Sequence, residues 1–309
     1  RLKFGAEAKS VDILAMISPE KEEIALGRNL KARGNVEDWL MNVQRNMKDA
    51  LHKLLKQGVI NYDEVPRGDW VLAHPGQVVA TGAQIMWSRN TEQALLSENP
   101  VEAMVKWLAL NVEQLATLTE LVRSNLSKIQ RKVIVALVTT DVHARDIIEI
   151  LVNDKVAQIG NFTWQQQLRY YWDKEEDTCL VRQSNCLIRF GYEYQGCTSR
   201  LVITPLTDRC WMTITGAVHL KLGANPAGPA GTGKTESSKD LAKAIAVQCI
   251  VFNCSDQIDY IMVGKLLSGL AQAACWTCLD EFNRIDIEVL SVVAQQLLQL
   301  RVKPRFGGV

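Results

Sequence analysis

An octapeptide in the last third of the chain fits the pattern G-x-x-x-x-G-K-[ST] at every position: Gly228-Pro229-Ala230-Gly231-Thr232-Gly233-Lys234-Thr235. Its glycines allow backbone conformations that a side chain would forbid, and they bring amide N–H groups against phosphate oxygens. Lys234 can reach the β- and γ-phosphates, and the Thr235 hydroxyl can ligand Mg²⁺. We therefore predict a site for a nucleoside triphosphate, ATP with Mg²⁺.

The residues around the octapeptide bear on that prediction. A predicted amphipathic helix, Lys234 to Val247, follows it, and the positive N-terminal end of this helix would point at the same anion. The pattern requires such a helix. It also requires a preceding strand, and the run Leu220 to Gly223 is a poor one.

An acidic pair supplies the second half of the predicted site. Asp280-Glu281 ends an apolar run, 45 residues after Thr235. At the end of a strand beside the loop, Asp280 would hold Mg²⁺ directly or through water, and Glu281 would orient and deprotonate the attacking water. An Asp-Glu pair also often caps the start of a helix. Taken by itself, the pair fits the capping and the catalytic interpretations equally well. The intact loop favours the catalytic one, with Lys234 and Glu281 as catalytic residues.

The first 190 residues are predicted to be mainly helical. Apolar residues recur at three- and four-residue steps and predict helices over Val36 to Gly58, Val78 to Leu96, Val101 towards Arg131 and Lys132 to Lys155. Aromatic residues then cluster over 162–172, where packing is a better explanation than an exposed binding surface. Strand-like runs follow, at Thr178 to Val181, Cys186 to Tyr194 and Leu201 to Thr204.

Strands and helices alternate from Thr207 onwards. A helix, the phosphate loop and a second helix precede the strand Cys249 to Cys254, a helix from Ile258 to Ala274, the strand Trp276 to Phe282 and a helix from Ile285 to Leu300. This alternation predicts a parallel sheet with crossover helices.

Composition narrows the function classes. The 35 Lys and Arg residues balance 34 Asp and Glu residues, so we expect no nucleic-acid partner. No apolar run approaches the roughly 20 residues that a bilayer requires, so we expect no membrane partner. The eight cysteines stand mostly in apolar runs, which predicts reduced thiols in the cytoplasm. Cys275 and Cys278 have the spacing of a zinc or redox motif, but the scattered histidines favour simple packing.

Several blocks of the sequence closely resemble dynein heavy chains, the AAA+ motors that move on microtubules. The blocks are His74-Pro75-Gly76-Gln77, Gln167 to Trp172, Leu201 to Cys210, Gly228 to Glu236, Asp280 to Arg284 and Val289 to Gln296. The resemblance extends from about Gly34 to Leu300. The runs Phe252 to Asp256 and Arg284 to Val289 look more axonemal than cytoplasmic.

The resemblance implies a mainly α-helical linker segment over 1–189, followed over 190–309 by a partial P-loop AAA+ α/β domain with a parallel sheet. ATP turnover in this module would drive linker movement and minus-end-directed motility in the cilium axoneme and the cytoskeleton. Partners would be the other AAA+ modules of the heavy chain, dynein intermediate and light chains, and microtubules through a stalk. The segment around Ile203, Pro205 and Leu206 would lie near the adenine.

The two ends of the chain suggest a piece of a longer protein. The first residues lack both an initiator Met and a signal pattern, and the run from Val302 to Val309 does not resemble the continuation of the family. The resemblance puts a sensor residue and an arginine finger elsewhere, so the chain alone is expected to bind ATP but barely hydrolyse it. Two alternatives stay open: a non-hydrolysing assembly fragment, and an AAA+ remodelling ATPase outside the motors.

Overall fold

A computed structural model describes residues 1–5, 10–27, 30–197, 199–229 and 231–302. The strands are β1 (Leu2–Phe4), β2 (Ile13–Ile17), β3 (Glu23–Ala25), β4 (Arg169–Asp173), β5 (Thr178–Gln183), β6 (Cys186–Arg189), β7 (Cys249–Asn253) and β8 (Trp276–Asp280). The helices are α1 (Val36–Asn61), α2 (Arg67–Ala73), α3 (Gly76–Leu95), α4 (Pro100–Val122), α5 (Lys128–Asn153), α6 (Phe162–Gln165), α7 (Pro205–His219), α8 (Lys234–Ala244), α9 (Tyr260–Ala273) and α10 (Ile287–Val302).

The predicted class is confirmed: a helical region precedes an α/β part with parallel strands. Helix α3 is the centre of the helical region and contacts α1, α2, α4, α5 and β4. Most of its residues are buried, polar ones such as Ser88 and Thr91 included, as expected for a helix surrounded by other elements. No helix in the described ranges is long and apolar enough to cross a bilayer.

The structure differs from the predictions for the helical region in two places. Strands β1, β2 and β3 form an antiparallel sheet in that order. No strand was predicted there, because strands of three to five residues give too little periodicity to detect. The helix predicted from Val101 towards Arg131 ends at Val122. A new helix begins after Ser127, whose hydroxyl accepts from the backbone N–H of Gln130 in a capping box.

The antiparallel sheet β4-β5-β6 packs against α3 through β4 and against α7 through β6. Trp164 and Tyr170 from the aromatic cluster are buried in the core, although Phe162 is exposed. The strand predicted to reach Tyr194 ends at Arg189. The run Leu201 to Thr204 is not a strand, because no neighbouring strand pairs with it. The hydroxyl of Thr204 instead caps α7 by accepting from the Thr207 N–H.

The α/β part contains the parallel pair β7-β8, connected by α9. This confirms the predicted parallel sheet, although β8 ends at Asp280 rather than Phe282 and the last helix begins at Ile287. A 3₁₀ turn lies between them. Helix α8 ends at Ala244, three residues earlier than predicted. The doubtful strand from Leu220 to Gly223 is a turn and a coil.

Candidate nucleotide site

The phosphate loop has the backbone that its glycines predict. Gly231 and Gly233 both have φ +79°, in the left-handed region that other residues rarely enter. A Cβ at either position would meet no described atom within 4 Å, so glycine is needed for the backbone angle and not for space. Ala230, which the sequence assigns to the same loop, lies outside the described residues.

The ammonium group of Lys234 lies inside the curve of the loop. It donates to the carbonyl oxygens of Gly228 at 2.8 Å and Pro229 at 2.7 Å. The hydroxyl of Thr232 also donates to Pro229 O, at 2.9 Å. The loop is therefore folded around one positive charge, and a phosphate would exchange these carbonyl contacts for charge-assisted hydrogen bonds.

The N-terminus of α8 is suited to an anion. Its N-cap, Gly233, offers no side chain to satisfy the first N–H groups of the helix, and no other described side chain caps it. The helix dipole places partial positive charge at the same end. Lys234 and Thr235 begin the helix there, so the lysine charge, the hydroxyl and the free N–H groups face a common region.

Asp280 meets the phosphate loop at the C-terminal end of β8. The Thr235 hydroxyl donates to Asp280 Oδ2 at 3.2 Å. The backbone of Asp280 is fixed by the parallel register with Asn253 and by a 2.9 Å hydrogen bond from the Cys254 N–H to its carbonyl. A hydroxyl and a carboxylate oxygen are donors that Mg²⁺ prefers, so the residues present fit this ion.

Glu281 follows directly and turns away from the strand. Its φ is +52°, and its N–H donates to Asp280 Oδ1 at 3.1 Å. The carboxylate is half exposed and lies 3.5 Å from Arg284 Nε. No hydrogen bond joins it to the loop residues that the structure describes. Sequence reasoning missed Arg284 as a partner, although the spacing of three residues was available as a signal.

The three residues assigned to the adenine side stand at or before the start of α7. Ile203 is partly buried and packs against the cluster of Trp211 and Leu241. Pro205 is exposed, and Leu206 is 74% exposed. The indole N–H of Trp211 donates to Ser237 O at 3.0 Å, which fixes α7 against α8. The structure thus brings this segment to the side of the phosphate-loop helix.

The cysteines form no second site in the part of the chain that the structure describes. All eight are free thiols, and the described residues include no group of His, Cys, Asp and Glu that could hold a metal ion. Burial raises the pKa of both Cys275 and Cys278. A raised pKa favours the neutral thiol over the thiolate that a zinc or redox motif needs.

Taken together, the loop, the helix after it and the acidic strand end define a P-loop α/β module joined to a helical region. Comparison with known proteins gives the family. Residues 190–304 match a family described as the hydrolytic ATP binding site of dynein motor region. Residues 1–58 match dynein heavy chain, N-terminal region 2. The chain belongs to the dynein heavy chains.

Its relatives are axonemal. The chain is 54% identical over 293 residues to dynein axonemal heavy chain 6 of Homo sapiens, a match that covers 94% of this chain and 7% of the relative. It is 48% identical over 293 residues to dynein axonemal heavy chain 1 of Mus musculus, covering 95% and 7%. It is 49% identical over 292 residues to dynein axonemal heavy chain 12 of Homo sapiens, covering 94% and 9%. The chain thus spans less than a tenth of the length of these relatives.

Proposed function

We propose that this chain binds Mg-ATP at residues 228–235 and forms part of the hydrolytic site of an axonemal dynein motor. The observation that carries the proposal is the hydrogen bond from Thr235 to Asp280. It joins the phosphate loop to the acidic strand end, although the two motifs are far apart in the chain. A structural use of either motif alone would not require that contact.

Each residue has a role that follows from its position. The N–H groups at the start of α8 and the ammonium of Lys234 bind phosphate oxygens and compensate the charge that develops on them. Thr235 and Asp280 would hold Mg²⁺, which neutralises phosphate charge when bound. Glu281 lies next to that pair, where its carboxylate can orient a water and take its proton once it separates from Arg284.

For the whole protein we propose the activity that the family implies. ATP turnover over 190–309 would move the linker region over 1–189 and drive minus-end-directed motility along microtubules in the axoneme. The other AAA+ modules of the heavy chain and the intermediate and light chains would be its partners. The family favours this motor class over a remodelling ATPase.

The test of nucleotide binding is a fluorescent-nucleotide titration of the parent chain and of Lys234→Ala. We expect the variant to lose affinity, because it removes the one side-chain charge inside the described part of the loop. Lys239→Ala is the matched control, since Lys239 lies on the same helix and pairs only with Glu236 among the described residues. Equal affinities of Lys234→Ala and the parent would refute the site.

A second candidate function is favoured by the contact between Glu281 and Arg284. In this arrangement the presumed base is paired with a cation 3.5 Å away and has no contact with the described loop. A chain in this state would bind ATP without sustained turnover and would serve as an assembly piece. Steady-state phosphate release with Mg-ATP distinguishes the two functions.

A further inference from the structure

The phosphate-loop helix α8 has two ends in different surroundings. It has 11 residues, which corresponds to a rod of about 16 Å at about 1.5 Å per residue. Its N-terminal end is the proposed phosphate site. Its C-terminal end runs into Ile245 and Ala246, which are both fully buried in the hydrophobic cluster that also contains residues of α1, α3 and β5. The end of α8 is therefore embedded in the core of the helical region.

Hydrogen bonds from β4 and from the segment after β6 hold the end of the helix. The last carbonyl groups of an α-helix have no partner within the helix. Here Ala244 O accepts from the Tyr170 hydroxyl at 3.0 Å, Ile245 O accepts from the Gly191 N–H at 2.9 Å, and Ala246 O accepts from the Glu193 N–H at 3.0 Å. We call these three hydrogen bonds the α8 clamp. Tyr170, from β4, is itself 4% exposed, so water does not compete for its bond.

Gly191 and Glu193 extend the clamp to other elements. A Cβ on Gly191 would collide with the carbonyl oxygen of Ala246, so only glycine permits this close approach. Glu193 also contacts α3 and the turn after α8. Its carbonyl accepts from Gln77 Nε2, in α3, at 2.9 Å, and its carboxylate accepts from the Gln248 N–H at 2.8 Å. The ammonium group of Lys48, in α1, lies 3.6 Å from the same carboxylate.

The middle of α8 is held as well. Asp240, which is almost fully buried, forms an ion pair with Arg200 at 3.1 Å. Together with the bond from Trp211 to Ser237 O, this contact ties the middle of α8 to α7 and to the segment before it. A displacement at the loop would then have to move the other end of the helix, since a packed helix behaves as a rigid element.

We propose that Tyr170 and Gly191 are positioning residues that join the phosphate-loop helix to the helical region, so that nucleotide binding at the N-terminus of α8 changes the dynamics of β4, β5 and α3 through the α8 clamp. This inference rests on the proposed nucleotide site. It adds the residues through which that site communicates with the rest of the chain.

The experiment is amide hydrogen exchange on the full chain, with and without Mg²⁺ and the β,γ-imido analogue of ATP. In the parent we expect slower exchange with nucleotide both in peptides of the phosphate loop and in peptides of β4, β5 and α3. Tyr170→Phe removes one bond of the clamp and keeps the ring in the core. It should keep the protection of the loop and weaken the protection of β4, β5 and α3, because the two backbone bonds of the clamp remain.

Tyr194→Phe is the matched control. The Tyr194 hydroxyl belongs to the same core but donates to Glu22 Oε2 at 2.7 Å and not to α8. It should retain both nucleotide effects, even if it lowers the melting temperature. If Gly191→Ala folds, it should have the same effect as Tyr170→Phe. If Gly191→Ala does not fold, Tyr170→Phe alone tests the coupling.

Three outcomes overturn parts of this inference in distinguishable ways. Protection of the loop alone in the parent would exclude the coupling but leave the nucleotide site intact. Protection of β4, β5 and α3 that is undiminished in Tyr170→Phe would exclude Tyr170 as a positioning residue of this route. A parent without protection at the loop would refute the proposed nucleotide site, and the coupling with it.

Discussion

The hydroxyl of Thr235 donates to Asp280 Oδ2 at 3.2 Å, so the first turn of α8 and the last residue of β8 share a hydrogen bond. The two oxygens are close enough for a single divalent cation to bind both of them. Alternatively, the hydroxyl could bind the cation directly and the carboxylate could bind it through a water molecule. Both residues are only partly exposed.

Asp280→Asn should reduce the Mg²⁺ dependence of nucleotide binding. We expect Mg²⁺ affinity in the presence of ATP to fall by at least about tenfold, because loss of even an indirect metal partner has that effect. Binding of ATP in excess chelator should be unchanged. Nucleotide titrations across a series of Mg²⁺ concentrations measure both quantities. Asp286→Asn, a few residues away in the turn before α10, is the control, and an equal loss there would contradict the assignment.

Glu281→Gln should separate binding from turnover. The amide cannot accept the proton of the attacking water, so phosphate release should fall by about 10²–10⁴-fold, the usual contribution of a general base. ATP affinity should change little. Glu288→Gln, at an exposed position of α10, should leave the rate unaltered. A parent chain that binds ATP but releases no phosphate would instead support the non-hydrolysing candidate.

Burial of Asp208 predicts a pH-dependent stability. The side chain lines a small cavity with Arg200 and His143, and desolvation raises its pKa to about 6 from 3.8. Between these two pH values the folded state binds more protons than the unfolded state, so this group contributes less to stability as the pH rises. Asp208→Asn removes this loss of stability with rising pH, because the amide does not ionise.

The difference in melting temperature between Asp208→Asn and the parent should therefore grow from pH 4 to pH 7. Differential scanning calorimetry at several pH values measures it. The exposed Asp256→Asn variant controls for the change in net charge. A constant difference across the range would show that Asp208 ionises normally.

The buried ion pair between Arg67 and Asp141 should contribute far more to stability than the exposed pair between Arg89 and Asp63. It joins α2 to α5, and both side chains are about nine-tenths buried. Arg67→Met leaves a buried carboxylate without its partner, which costs about 3–5 kcal/mol. Arg89→Met removes the exposed pair with Asp63 and should cost less than about 1 kcal/mol. Urea unfolding compares the two, and similar losses would contradict the argument.

Short-range chemistry explains which parts of the site the sequence could predict. The loop conformation depends on glycines that stand in the loop itself, and φ +79° at Gly231 and Gly233 agrees with that expectation. The meeting of Thr235 and Asp280 agrees with the prediction that the acidic pair ends a strand beside the loop, although no described strand directly precedes the loop itself. Their roles in binding and catalysis stay predictions.

Long-range pairing explains what the sequence could not predict. The run from Leu201 to Thr204 has the residues of a strand but no partner strand, and partnership is a property of the folded chain. The requirement for glycine at Gly191 arises from the carbonyl of Ala246, which is distant in sequence. By contrast, the break before α5 was readable, because Ser127 and Gln130 form a capping box at the expected spacing.

The burial of Ile245 and Ala246 among residues of α1 and α3 has a consequence for how such chains can be recombined. Consider a chimera that joins the ATP-binding part of one heavy chain to the helical region of another at residue 190. The C-terminal end of α8 would then pack against residues of α1 and α3 from a different chain. Tyr170 and the residues of α1 and α3 that line the same cluster would have to be transplanted together with Ile245 and Ala246. Exchange of this part between heavy chains is therefore constrained by contacts that extend into the helical region, well before residue 190.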